Sequence, residues 1–164
     1  MTHLKDGLIL VTGPSGAGKS TTIRMIAGFY PPSEGKILID GIESSIGDLE
    51  KKAMIGYMPE SNPLYGEMTA KEFLVFAAEI HKLEDINEKV SAVIEKANLM
   101  EVENQLIETL SKGYRSRLSF AAAIIHDPDL LILDEPLGGL DAKSVKVVKE
   151  ILDLHTERGG SVLF

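Results

Sequence analysis

Apolar and polar positions follow two periods along this chain, and the switches between them mark out strands and helices. Leu8 to Val11 is a short apolar run ending at Thr12-Gly13. After a glycine-rich stretch, Lys19 to Ala27 has the spacing of a buried helix closed by Gly28. Pro31-Pro32-Ser33-Glu34-Gly35 marks a turn, Lys36 to Ile39 reads as a short strand, and Asp40-Gly41 as a hairpin turn. Met54 to Met58 predicts another strand, stopped by Pro59. From Pro63 the pattern becomes helical. Thr69-Ala70-Lys71-Glu72 is a capping box opening a helix to about His81, and Asn87 to Ala97 predicts a second. Ser116 to His126 predicts a third, ended by Asp127-Pro128. Leu130 to Leu133 is an unbroken apolar run of the kind that a parallel strand covered on both faces uses, and Asp134-Glu135-Pro136 closes it. Between Ala142 and Arg158 one helical stripe carries Val145, Val148, Ile151, Leu152 and His155. Gly159-Gly160 ends that helix, and Ser161 to Phe164 opens a last strand. The expected class is α/β: a mostly parallel sheet flanked by helices, with a helical insertion over residues 63–115.

Composition narrows the possibilities. The chain has 164 residues, 44% of them hydrophobic, which fits one domain spanning residues 1–164 with a sizeable core. A net charge of −8 argues against a broad basic surface, so no nucleic-acid partner is expected. The longest apolar runs, Ala121 to Ile125 and Leu130 to Leu133, fall far short of the roughly 18 residues that cross a bilayer. Met1 to Gly7 has no basic segment followed by an apolar core, and there is no cysteine, so neither an export signal nor a disulfide is expected. A cytosolic setting fits. His3, His81, His126 and His155 lack ligand-like spacing, which makes a histidine metal site unexpected.

The chemistry concentrates in two places. Gly13-Pro14-Ser15-Gly16-Ala17-Gly18-Lys19-Ser20 fits G-x-x-x-x-G-K-[ST] and lies between a predicted strand and a predicted helix, the context a P-loop requires. Glycines let backbone N–H groups close around phosphate oxygens, Lys19 reaches the terminal phosphates, Ser20 can ligate Mg²⁺, and Thr21 extends the polar edge. The second place is Asp134-Glu135, two acids at the carboxyl end of an apolar strand, where open α/β sheets put their ligands. Asp134 is the natural magnesium partner. Glu135, one residue on, would point elsewhere and could orient or deprotonate an attacking water.

With these motifs, Leu110-Ser111-Lys112-Gly113-Tyr114-Arg115 and Gly138-Gly139-Leu140-Asp141 in this order, the chain resembles the ATP-binding subunit of ABC transporters over nearly its whole length. The resemblance implies ATP and Mg²⁺ as cofactors and ATP hydrolysis with Glu135 and Lys19 as catalytic residues. It places Gly13, Pro14, Ser15, Gly16, Ala17, Gly18, Lys19, Ser20 and Thr21 around the nucleotide, and Ser20, Asp134 and the lid-loop Glu60 around the metal. It makes Ser111, Lys112, Gly113 and Asp141 complete a site on a second ATP-binding subunit, in a homodimer that drives an integral membrane transport subunit from the cytoplasmic face. Ser116 would start its helix just behind that signature. Several positions depart from the family pattern. Lys112-Gly113 replaces a glycine pair, Tyr114 a glutamine, and Glu60 the lid glutamine. The Pro59-Glu60 lid and the Lys-Gly-Tyr signature resemble the subgroup serving exporters of drugs, polysaccharides and gliding-motility systems. None of the residues before Gly13 is Phe, Tyr or Trp to stack on adenine, and no switch histidine follows the last strand, so the resemblance implies a domain trimmed at both ends. Competing readings are a nucleotide-binding module without turnover, a small P-loop kinase, and a soluble ABC-type ATPase of DNA repair or translation. The kinase needs a lid with arginines, and the insertion has none before Arg115.

Overall fold

The structure, a computed structural model, describes residues 8–9, 18–39, 42–43, 53–61, 63–138 and 140–164. Its frame is a sheet in the order β1 (Leu8–Ile9), β6 (Ser161–Leu163), β5 (Leu130–Leu133), β4 (Ile55–Met58), with every pairing parallel. The apolar run at β5 reflects its central place: Leu131, Ile132 and Leu133 have no exposed surface. Strand alternation divides them, so that Leu131 and Leu133 join the larger core with Phe120, Leu118 and Leu74. Ile132 joins a smaller cluster with Ile23, Ala27, Ile55 and Leu163. Met58↔Leu133 and Ile55↔Leu130 set the register of β4 on β5.

Helix α1 (Lys19–Ile26) supplies Ile23 to the smaller cluster. A separate pair, β2 (Leu38–Ile39) with β3 (Ile42–Glu43), is antiparallel, as the hairpin reading expects, although its Asp40-Gly41 turn lies outside the described residues. Helix α2 (Ala70–Ile80) opens with the capping box: Glu72 N–H donates to Thr69 Oγ1 at 3.2 Å, and Thr69 N–H to Glu72 Oε2 at 2.8 Å. Helix α3 (Ile86–Lys96) packs against α2 and is followed by single 3₁₀ turns at Met100–Val102 and Ile107–Thr109. Helix α4 (Lys112–Ile124) touches α2, α3, β4 and α5 (Ala142–Glu157), and joins the helical stretch to the sheet.

One helix, which ends at Ile124 and not His126, and one buried face differ from the sequence reading. Helix α4 begins at Lys112, four residues before the expected Ser116, because Ser111 is its N-cap; Ser116 is buried inside the helix. On α5 the buried residues are Ser144, Val147, Val148 and Ile151. The face is turned toward positions 144 and 147 because α5 packs on both α4 and β6, leaving Val145, Leu152 and His155 half-buried at its margin.

Candidate nucleotide site and the start of the helix after Ser111

The phosphate-loop residues Gly13, Pro14, Ser15, Gly16 and Ala17 lie outside the described residues, as does the side chain of Lys19. The end of the loop is described. Gly18 is the N-cap of α1 with φ 83, a left-handed conformation natural to glycine, and its carbonyl accepts from Thr22 N–H at 2.9 Å and Thr22 Oγ1 at 3.0 Å. Lys19 is the first residue of α1, and Ser20 and Thr21 complete the start of its first turn, Thr21 exposed. The N-terminal N–H groups and partial positive charge of this helix end suit an anion.

The decisive contact joins this helix to β5. Ser20 Oγ donates to Asp134 Oδ1 at 3.1 Å, so the hydroxyl of the phosphate motif meets the first acid of the strand end. Asp134 is 3% exposed, and its N–H donates to Met58 O at 2.9 Å, extending the β4–β5 ladder by one step. Its Oδ2 is buried with no hydrogen-bond partner among the described residues. A serine that gives its proton to a carboxylate turns its lone pairs outward, and a buried carboxylate oxygen with no donor among the described residues is suited to a cation. This donor set fits a magnesium ion held by one hydroxyl, one carboxylate and the phosphates of a nucleotide. Tyr57, on β4, lies near the same acid: burial raises its phenol pKa, a hydrogen bond from Arg24 opposes this, and the Asp134 charge adds to the rise.

Glu135 is exposed and has φ 53, a left-handed backbone that carries a cost of order 1–3 kcal/mol in a non-glycine residue. The turn holds because Glu135 O accepts from Gly138 N–H at 3.1 Å, and the side chain lies over Gly138, where an added Cβ would be 3.7 Å from Glu135 Oε2. Glu60 is exposed two residues past Met58, and the Met58↔Leu133 register puts it at the same sheet edge as the two acids.

A second constellation surrounds the start of α4. Ser111 Oγ accepts from Tyr114 N–H at 3.3 Å; Ser111 and Lys112 are exposed and Gly113 is buried. A Cβ on Gly113 would come within 2.8 Å of both Asp141 Oδ2 and Ser144 Oγ. Asp141 caps α5: Oδ1 accepts from Ser144 N–H at 2.8 Å and Oδ2 from Ser144 Oγ at 3.2 Å. The Ser144 backbone bond is the main reason its carboxyl lies below the usual range. Sequence reasoning missed this capping role, although Asp141-x-x-Ser144 ahead of an apolar-periodic segment is a cap signal. It also missed Arg117, buried at 3% exposure, because a cation in a helix reads as solvated.

These observations have a counterpart among known proteins. The ABC transporter family profile matches residues 2–138. The chain belongs to the ABC transporter family. An uncharacterized ABC transporter ATP-binding protein of Bacillus subtilis, YhaQ, is 38% identical over 154 residues, 93% of this chain and 51% of that protein. The SkfA peptide export ATP-binding protein SkfE of the same organism is 38% identical over 156 residues, 94% of this chain and 64% of that one. The lipopolysaccharide export system ATP-binding protein LptB of Haemophilus influenzae is 35% identical over 168 residues, 99% of this chain and 70% of that one. The ABC chain thus spans about half to two thirds of such relatives. Among solved structures, an ATP-binding subunit of an ABC transporter superposes with a TM-score of 0.84 at 30% identity over 97% of this chain and 67% of that one. A dimeric ATP-binding cassette in a post-hydrolysis state with ADP and phosphate gives 0.85 at 25% identity, over 97% and 73%. The ABC fold here is the P-loop NTPase α/β fold, a parallel sheet flanked by helices. Among the described residues no helix is long and apolar enough to cross a membrane.

Proposed function

We propose that this chain is the ATP-binding and ATP-hydrolysing part of an ABC transporter, working as a homodimer on the cytoplasmic face of a membrane beside an integral transport subunit. The observation that carries this reading is the Ser20–Asp134 hydrogen bond, which brings the two halves of a nucleotide site together across the fold. Backbone N–H groups of residues 13–20 and Lys19 grip the phosphates of ATP, with Thr21 at the polar edge. Ser20 and Asp134 would hold the magnesium, with Glu60 reaching it through water; when bound, that ion neutralises charge on the terminal phosphates. Glu135 accepts a proton from the attacking water as the water oxygen bonds to the γ-phosphorus and the bond to the bridging oxygen of ADP breaks.

Ser111, Lys112, Gly113 and Asp141 form the edge that closes on ATP held by the second subunit. Residues 63–115, read as a helical insertion, carry Ser111, Lys112 and Gly113 of that edge, and Asp141 joins it from the start of α5. The Pro59-Glu60 lid and the Lys112-Gly113-Tyr114 signature favour an exporter.

Glu135→Gln tests the reading in the full-length protein. Nucleotide affinity should persist while the turnover number falls by at least about 100-fold, the scale of a lost general base. Turnover at the parent rate would remove Glu135 from that role. Parent and variant both binding ATP without hydrolysing it would instead indicate a nucleotide-binding module.

A further inference from the structure

Tyr114 stands where the family commonly has glutamine, and its surroundings give it a task. Its backbone N–H donates to Ser111 Oγ at 3.3 Å. Filling one lone pair of that oxygen turns the hydroxyl proton away from the helix, toward whatever lies beyond the start of α4. The ring of Tyr114 lies under Arg117, whose guanidinium carbon is 4.3 Å from the ring centre. Arg117 Nη1 donates to Asn98 O at 2.7 Å and Ala97 O at 3.3 Å, the carbonyls that end α3. The phenol itself donates to Glu101 Oε2 at 3.2 Å, in the 3₁₀ turn Met100–Val102. One side chain thus ties the first turn of α4 to the end of α3 and the turn after it, from two directions.

On the opposite side Gly113 is pressed against Asp141 and Ser144 at the start of α5. The Ser111 turn is held between a fixed wall on α5 and a polar tether to the helical segment. Arg117 Nε is buried without a partner among the described residues, so the stack on Tyr114 and the two carbonyls carry the restraint on that guanidinium there.

We infer that Tyr114 is a positioning residue for Ser111, and that its contacts to Arg117 and Glu101 set the direction in which Ser111 presents its hydroxyl to a nucleotide on a second copy of this chain. This deepens the proposed function and rests on its reading of Ser111 as partner-facing. The tether makes closure of the dimer sensitive to the position of the segment from α3 to Val102. A glutamine here has no ring for Arg117 to stack on.

The test uses the full-length protein carrying Glu135→Gln, so that ATP is bound and not consumed. Two quantities are read: ATP affinity of the isolated subunit by titration calorimetry, and the ATP concentration that half-dimerises it by sedimentation. Ser111→Ala should abolish dimerisation and leave subunit affinity intact. Tyr114→Phe keeps the ring on Arg117 and removes only the link to Glu101, and should raise the half-dimerising concentration about five- to tenfold at unchanged affinity. Glu101→Leu should do the same, the two together should do no more than either alone, and Glu101→Gln, which retains an acceptor, should restore most of the loss. Melting temperatures recorded in parallel distinguish misfolding, and the phenylalanine variant should stay close to the parent. If Tyr114→Phe and Glu101→Leu dimerise like the parent while Ser111→Ala does not, the positioning role is wrong. If Ser111→Ala itself dimerises normally, the partner-facing reading of the signature fails first.

Discussion

Replacing Asp134 by asparagine should make the nucleotide-free protein more stable and its nucleotide-loaded form less so. The carboxylate is 3% exposed, with one oxygen on Ser20 and the other without a partner among the described residues. A buried charge so poorly paired costs several kcal/mol, whereas an amide of the same shape with one open donor group costs about 1–3 kcal/mol. The balance favours Asp134→Asn by about 1–2 kcal/mol in the absence of ligand. At about 2–4 °C per kcal/mol for a domain of this size, the melting temperature should rise by about 2–8 °C. With magnesium and ATP at about 100 times the dissociation constant, the parent gains about 2.7 kcal/mol, and a variant that holds the ion poorly gains far less, so the order of melting reverses. Calorimetric scans of parent and variant, with and without magnesium and ATP, read both effects. A variant that melts below the parent without nucleotide, or gains as much from magnesium and ATP, refutes the assignment of the unpaired oxygen to a metal.

Gly56→Ala should destabilise the fold by about 1–3 kcal/mol, read as a lower urea midpoint, because the new Cβ meets the Ala123 carbonyl oxygen, with Leu131 Cδ2 at 2.7 Å and Pro128 Cγ at 2.9 Å. An unchanged midpoint would mean that α4 yields at no cost. Burial, then repulsion from His81, pushes His126 down to about 4. The unfolded ring titrates near ~6.5, so this group's contribution is complete above that pH and drains away toward pH 4, by about 1–3 kcal/mol after allowance for partial exposure. His126→Gln should flatten the fall in stability between pH 7 and 4.5, and an unaltered slope would assign the loss to other groups. Gly113→Ala places a methyl 2.8 Å from Asp141 Oδ2 and Ser144 Oγ; by forcing that cap aside it should cost about 1 kcal/mol in thermal unfolding and weaken ATP-driven dimerisation. Dimerisation equal to the parent's would show that the cap moves freely.

What the sequence made legible was what is local or carried by one strong pattern. The Thr69 capping box is a four-residue signal, and both of its hydrogen bonds form. The β5 run has no polar interruption because Leu131, Ile132 and Leu133 are shielded from water on both faces. The pairing of Ser20 with Asp134 was legible because each residue closes a motif whose chemistry needs the other. The start of α4 was not: Ser111 has no acid three residues later to complete a capping box, and Lys112, Arg115 and Arg117 mask the helical period. Arg117 is buried for a reason that only the tertiary structure supplies, namely the open carbonyls at the end of α3. The same holds for His81 and His126. Their rings stack at 3.7 Å between centres, His126 Nε2 lies 3.1 Å from Ile55 O, and nothing in the spacing of two histidines just past the ends of different helices foretells it.

The register of β4 on β5 explains why the acids at the sheet edge keep their places without a ligand. A slip of one residue would exchange the faces of β5, sending Ile132 into the cluster of Leu131 and Leu133 and those two into the space under α1. Both clusters are closed, so the slip is forbidden from either side. Asp134 then follows as the next residue of the ladder, fixed by its N–H on Met58 O, and the left-handed turn at Glu135 ends the strand there. A truncation behind the acids should therefore act on chemistry through geometry. Ile132→Ala, at a position with no exposed surface, should cost about 2–5 kcal/mol and loosen the Ser20–Asp134 contact, so that nucleotide affinity falls along with the melting temperature. Affinity unchanged in the folded fraction would mean that α1, and not the sheet, holds the two residues together.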